Sequence, residues 1–167
     1  KLGQENVRLA EGVSYNNKGN WQDEFAEGID STVEAARNCD VIVACIGENS
    51  YSETTGNILD DNISDNQRRL VEALAKTGKP IVLILNEGRP RIIHSLVPKA
   101  GAIVDVMLPG NYGGEALALL LSGEENFSGK LPFTYPSFVN AFTTYDFKVC
   151  ERRDVMPGVY DYWADTN

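Results

Sequence analysis

Val41-Ile42-Val43-Ala44-Cys45-Ile46, followed after a long polar loop by Ser64-Asp65-Asn66-Gln67, is the stretch on which the fold turns. The first six residues are apolar without alternation, which is how a strand covered on both faces reads. Ser64 to Gln67 has the Ser-x-x-Gln form of a capping box. The helix it opens carries Leu70, Val71 and Leu74 on one face, and Gly78 and Pro80 end it. A buried strand followed by a capped crossover helix is the first half of a βαβ unit. Ile81-Val82-Leu83-Ile84-Leu85 supplies its second strand, and Ala102-Ile103-Val104-Asp105-Val106-Met107 a third.

Working outward, residues 90–97 read as a short helix and residues 113–121 as another that stops at Gly123. Upstream, residues 21–38 place Phe25, Ile29, Val33 and Ala36 at helical spacing. Strands alternating with helices imply an α/β fold, a three-layer α/β/α sandwich with a mainly parallel sheet of the flavodoxin-like or Rossmann-like kind. Such sheets bind ligands at the loops beyond the carboxyl ends of their strands, here residues 47–62, 86–89 and 108–114. Residues 1–137 are expected to form this one domain. Residues 138–167, aromatic and without a clear period, are expected to be its extended tail.

The chain's 167 residues suit a single domain able to bury a sizeable core. With 43% hydrophobic and 23% charged residues, the composition is that of a globular protein rather than a disordered one. A net charge of -9 argues against nucleic acid and anionic membrane surfaces as partners. No apolar run approaches the roughly 20 residues that span a bilayer, and Lys1-Leu2-Gly3-Gln4-Glu5 does not read as a signal peptide. Cys39, Cys45 and Cys150 lack Cys-x-x-Cys spacing and are expected to be free, mostly buried thiols rather than metal ligands. Sequons at Asn62 and Asn126 are about as frequent as chance gives and do not fix a compartment.

Loop 47–62 is long for a βα connection, which typically takes ~2 to 6 residues. It carries Glu48 and Glu53 among hydroxyl and amide groups suited to a polar ligand. A carboxyl on a loop over a sheet edge can act as general acid or base if partial burial raises its pKa. A solvated acidic loop explains the same residues. Pro109-Gly110-Asn111-Tyr112-Gly113-Gly114 could cradle a phosphate at a helix N-terminus, but it matches neither dinucleotide nor Walker spacing, and tight turning explains the glycines as well. His94, the one histidine, falls in an expected helix with no Gly-x-Ser-x-Gly elbow in the chain, and reads as structural. Arg89 and Arg91, flanking Pro90, could clamp a carboxylate, although capping or a surface ion pair is the plainer role.

Five motifs in order carry a resemblance: Gly47-Glu48 to Gly56, Gly78-Lys79-Pro80, Gly88-Arg89-Pro90, Leu108-Pro109-Gly110-x-x-Gly113-Gly114, and Ser128-Gly129-Lys130-Leu131-Pro132-Phe133-Thr134-Tyr135-Pro136. Together they resemble the carboxyl-terminal α/β sandwich domain of family 3 glycoside hydrolases of the β-glucosidase type, over residues 40–136. The tail at residues 145–160 is similar as well. The resemblance implies that Tyr51-Ser52-Glu53 to Gly56 brings the catalytic acid/base at Glu53. Glu48 is the second choice, with orientation of the loop or binding of its backbone as its more natural role.

The nucleophilic aspartate would stand on a (β/α)8 barrel domain that this sequence lacks. The resemblance further implies a first sandwich strand ahead of Lys1 and a later glycine- and tyrosine-rich strand after Asn167, neither of which is expected within these residues. The expected function is therefore that of the acid/base-bearing domain of a retaining, exo-acting β-glucosidase that hydrolyses terminal non-reducing β-D-glucosyl residues, inactive as this chain alone. Its partners would be a β-glucoside or oligosaccharide substrate and the barrel, with no nucleic acid, membrane, metal or cofactor, in a secreted or periplasmic setting. The alternatives are a non-catalytic carbohydrate-binding or interaction domain of the same fold and, third, a nucleotide-binding domain.

Overall fold

The computed structural model describes residues 3–16 and 18–141. Its central sheet is formed by β3 (Ile42–Gly47), β4 (Ile81–Asn86) and β5 (Ala102–Asp105). β4 lies between the other two, and both pairings are parallel, with Ile42 opposite Ile81 and Val82 opposite Ala102. The three runs thus pair as their continuous hydrophobicity implies. The third stops early because the Asp105 carboxylate accepts the Met107 N–H and Met107 turns to a φ of 50°.

An antiparallel hairpin, β1 (Ser14–Tyr15) with β2 (Glu24–Phe25), precedes the sheet. The helix expected over residues 21–38 shortens accordingly to α1 (Ile29–Ala36). Phe25 pairs with Ser14 in the hairpin, which the backbone can do only by leaving the helix. α2 (Asp65–Ala75) is the crossover helix between β3 and β4, capped as expected by the Ser64 hydroxyl accepting the Gln67 N–H at 3.2 Å. α3 (Gly113–Ser122) follows β5 and closes at Gly123 in the left-handed conformation.

No helix forms over residues 90–97. Ile92 N–H donates to Asp61 O at 2.7 Å and Ile92 O accepts from Ile63 N–H at 3.2 Å, so this segment pairs with the end of the long loop instead. Arg91, Ile92 and Ile93 are all buried. Three consecutive residues cannot share one side of a helix, whereas in extended backbone they alternate between two faces, both of which are covered here.

One core holds the molecule together. Ile29 and Ala36 of α1 and Leu70, Val71 and Leu74 of α2 pack with Ile42, Ala44 and Ile46 of β3 and Ile81, Leu83 and Leu85 of β4, joined by Ile93 and Leu96. The alternate residues of β3, Val41 before it, Val43 and Cys45, are exposed. The expectation of buried thiols is corrected there: Cys45 stands on the face of β3 away from α1 and α2, and Cys39 is half-buried. Cys150 and residues 142–167 of the expected tail lie outside the described residues.

Candidate active site

The two candidate carboxylates leave the end of β3 in one loop and part at once. The Glu48 side chain turns inward and is only 5% exposed. Its Oε1 accepts from Arg89 Nε at 3.1 Å and Arg91 Nη1 at 3.2 Å, and its Oε2 from the Tyr51 hydroxyl at 3.1 Å. The Arg89–Pro90–Arg91 pair is therefore a carboxylate clamp turned on the protein's own loop, not a surface ion pair. Arg91 also donates through Nη2 to Asn62 O at 2.6 Å, so it ties the loop's last turn as well as its first. A carboxylate enclosed in this way ties its loop to the segment after β4.

Glu53 is exposed and opens a single 3₁₀ turn, Glu53–Gly56. Its φ is 49°, in the left-handed region where non-glycine residues cost about 1 kcal/mol. Its carboxyl takes part in no hydrogen bond or ion pair among the described residues. The turn is closed by Thr55 Oγ1 donating to Ser52 O at 2.5 Å and by Asn57 N–H donating to Thr54 O at 3.2 Å. Gly56 lies flat against Tyr51, where an added Cβ would come within 2.2 Å of the ring. Burial, followed by the Glu48 carboxylate, pushes the Tyr51 phenol up from its ordinary value, so it stays a donor to that carboxylate.

Trp21, from the turn between β1 and β2, meets the same loop. Its indole N–H donates to Thr55 O at 2.7 Å. Its ring lies 4.8 Å from that of Tyr51, and the Arg89 guanidinium stands 4.4 Å from the Tyr51 ring centre and 5.6 Å from that of Trp21.

Sequence reasoning passed over Glu87, which follows β4 and is 2% exposed. Its Oε1 is 2.5 Å from the Tyr135 hydroxyl, which is also 2.7 Å from Arg91 O, and its Oε2 has no partner among the described residues. Burial pushes the Glu87 carboxyl up to about 7, against the pull of the Tyr135 and Arg91 N–H contacts. A charged residue just beyond Asn86, at the end of an otherwise apolar strand, was the available signal. Only the arrival of Tyr135 gives it a meaning.

His94 is exposed, with its ring 4.9 Å from that of Phe138, and not in a helix. Both border an open cleft of about 820 Å³ that also touches Asn57, Asp60 and Arg68 but neither Glu48 nor Glu53. At the glycine turn, Gly110 has a φ of 67° and a Cβ on Gly113 would strike Pro109, so turning and packing account for those two glycines. No three His, Cys, Asp or Glu side chains gather to hold a metal ion among the described residues.

Comparison with known proteins places these features in a family. The model of the glycosyl hydrolase family 3 C-terminal domain matches residues 4–162. A lysosomal β-glucosidase of Dictyostelium discoideum is 47% identical over 65% of this chain and 13% of its own length. A periplasmic β-glucosidase of Salmonella typhimurium is 39% identical over 70% of this chain and 15% of its own. β-Xylosidases also match. The crystal structure of a β-glucosidase from Listeria innocua in complex with isofagomine superposes with a TM-score of 0.63 and 30% identity, over 70% of this chain and 16% of that one. The chain thus spans about one seventh of the length of such relatives, and it belongs to the glycosyl hydrolase family 3 C-terminal domain family.

Proposed function

We propose that this chain is the acid/base-bearing domain of a retaining, exo-acting β-glucosidase, with Glu53 as acid/base and the nucleophile on a separate barrel domain. The observation that carries this reading is the contrast within loop 47–62. Glu53 projects exposed from a closed turn, whereas Glu48 is enclosed by two arginines and a tyrosine. A retaining glycosidase needs two carboxyl groups about 5 to 5.5 Å apart across the scissile bond. Glu53 would first donate a proton to the departing glycosidic oxygen as the nucleophile attacks the anomeric carbon. It would then take a proton from the water that hydrolyses the glycosyl-enzyme. A partner domain closing over the loop would supply the burial that this chain leaves out.

β-Glucosides are the proposed substrates, with β-xylosides as the competing class, since relatives of both kinds match. Periplasmic and lysosomal relatives support a location outside the cytosol.

The test is Glu53→Ala in an enzyme that carries this domain with its barrel. Poorly activated glucosides should slow by about 10² to 10⁴-fold while aryl glucosides with good leaving groups lose far less in kcat/KM, because the latter need little protonation. Added azide should restore kcat by attacking the glycosyl-enzyme directly. Glu48→Ala should show neither pattern, and azide rescue in Glu48→Ala alone would exchange the two roles. Faster turnover of aryl β-xylosides than of aryl β-glucosides by the parent enzyme would move the substrate class.

A further inference from the structure

The acid-bearing turn is held from outside its own loop. We infer that Trp21, in the hairpin more than thirty residues upstream, is a positioning residue for Glu53, fixing the turn on both sides of it. The inference rests on Glu53 being the acid/base.

Five observations carry it. Thr55, two residues after Glu53, has its carbonyl held by the Trp21 indole N–H at 2.7 Å. Tyr51, two residues before Glu53, has its ring 4.8 Å from the Trp21 ring. Both flanks of the glutamate therefore end on one side chain. Arg89 binds this arrangement to the core, since its guanidinium lies over both rings while its Nε donates to the buried Glu48. Between the flanks, Glu53 holds a left-handed backbone that non-glycine residues avoid, and such a conformation persists only where its surroundings over-determine it. Its carboxyl has no partner of its own among the described residues, so the backbone of this turn is what sets where the side chain leaves the loop.

A tryptophan there purely to bury the hairpin would leave the loop's geometry to the Glu48 clamp. The indole N–H separates the two roles, because it touches only the acid-bearing turn.

The experiment compares Trp21→Phe, which keeps an aromatic ring and removes the N–H, with the parent and with Glu53→Ala in an enzyme that contains the barrel. For Trp21→Phe the expected result is a loss of about tenfold in kcat/KM on alkyl β-glucosides and less than about twofold on dinitrophenyl β-glucoside, since misplacing an acid penalises only the step that needs it. Amide exchange of residues 51–57 should quicken while that of β4 stays unchanged, which shows a folded protein with a loosened turn.

Equal losses on both substrates, no loss on either, or unchanged exchange in residues 51–57 would each overturn the inference. If Glu53→Ala discriminates between leaving groups and Trp21→Phe does not, only the positioning role fails. If Glu53→Ala shows no discrimination, the acid/base reading fails and the inference falls with it.

Discussion

Glu48 and Glu53 share a loop, and their surroundings set them apart: one is enclosed by Arg89, Arg91 and Tyr51, the other exposed. Glu87 shows the same dependence on environment in a third glutamate. The Tyr135 phenol has one hydrogen and two oxygen neighbours, and Arg91 O can only accept. When the phenol donates to Arg91 O, the short contact to Glu87 needs a hydrogen from the Glu87 carboxyl. With burial raising its carboxyl to about 7, Glu87 is protonated at acidic pH and can supply that hydrogen, which also suits its buried second oxygen, unpartnered among the described residues. Besides Tyr135 and Arg91, it faces Asp105 at the end of β5 and Glu48 beyond the end of β3, both of which resist its ionisation.

The folded pKa, about 7, stands above the ordinary 4.5. A carboxyl raised in this way contributes stability that is fully present below the ordinary value and lost as pH rises through the folded one. The loss is on the order of 3 kcal/mol when complete. Urea midpoints should therefore fall between pH 5 and pH 8.5, and Glu87→Gln should flatten most of that slope. A slope that survives in Glu87→Gln would show that another group carries it.

At the scale of elements, α2 does more than its cap announces. A reciprocal capping box would send the Gln67 side chain back to the Ser64 N–H. Gln67 instead accepts from Gly47 N–H at 2.7 Å and donates to Gly47 O at 2.9 Å and Glu24 Oε1 at 2.6 Å. The first turn of α2 thereby joins the end of β3 to the hairpin strand β2, at the point where the acid-bearing loop begins. Ser64→Ala should cost about 1 kcal/mol, as a lost cap does. Gln67→Leu should cost more, roughly 2 to 4 kcal/mol, because it leaves the buried Gly47 N–H without its partner and removes the amide donor to Glu24, while Gly47 O keeps the Tyr15 hydroxyl at 2.6 Å. Urea unfolding of the two variants reads the order directly, and a Ser64→Ala cost equal to or above that of Gln67→Leu would contradict this account.

For the whole molecule, the arithmetic of the site decides what the chain can do. Glu53 stands exposed at the sheet's carboxyl edge, with no hydrogen bond or ion pair to its carboxyl among the described residues, and the proposed nucleophile belongs to another domain. Purified chain, free of contaminating glycosidase, should therefore turn over no aryl β-glucoside at a useful rate, since the covalent route needs a nucleophile on the other face of the sugar. Saturable turnover by the chain alone would overturn the division of the site between two domains. The apolar residues left exposed along β3, Val43 above all, and on α3, Leu119 and Leu121, mark faces that the described residues leave uncovered.

The α/β class, the three parallel strands, the Ser64 cap and the Gly123 stop were legible in the sequence, because each is a local pattern of period, cap or turn that neighbours a few residues apart impose on one another. The loop that bears the candidate acid was legible by its length, and the place of Glu53 within it by the resemblance of Tyr51 to Gly56 to the family's motif. Tertiary structure alone decided the rest. Two-residue strands in the hairpin have too few side chains to show a period. The segment 90–97 gave up its helix to pair with residues 61–63, about thirty positions away. Which glutamate faces inward depends on Arg89 and Arg91, some forty residues beyond it, and on Trp21 well before it. Contacts across such separations are settled by which groups the folded core brings together, and no local pattern encodes that.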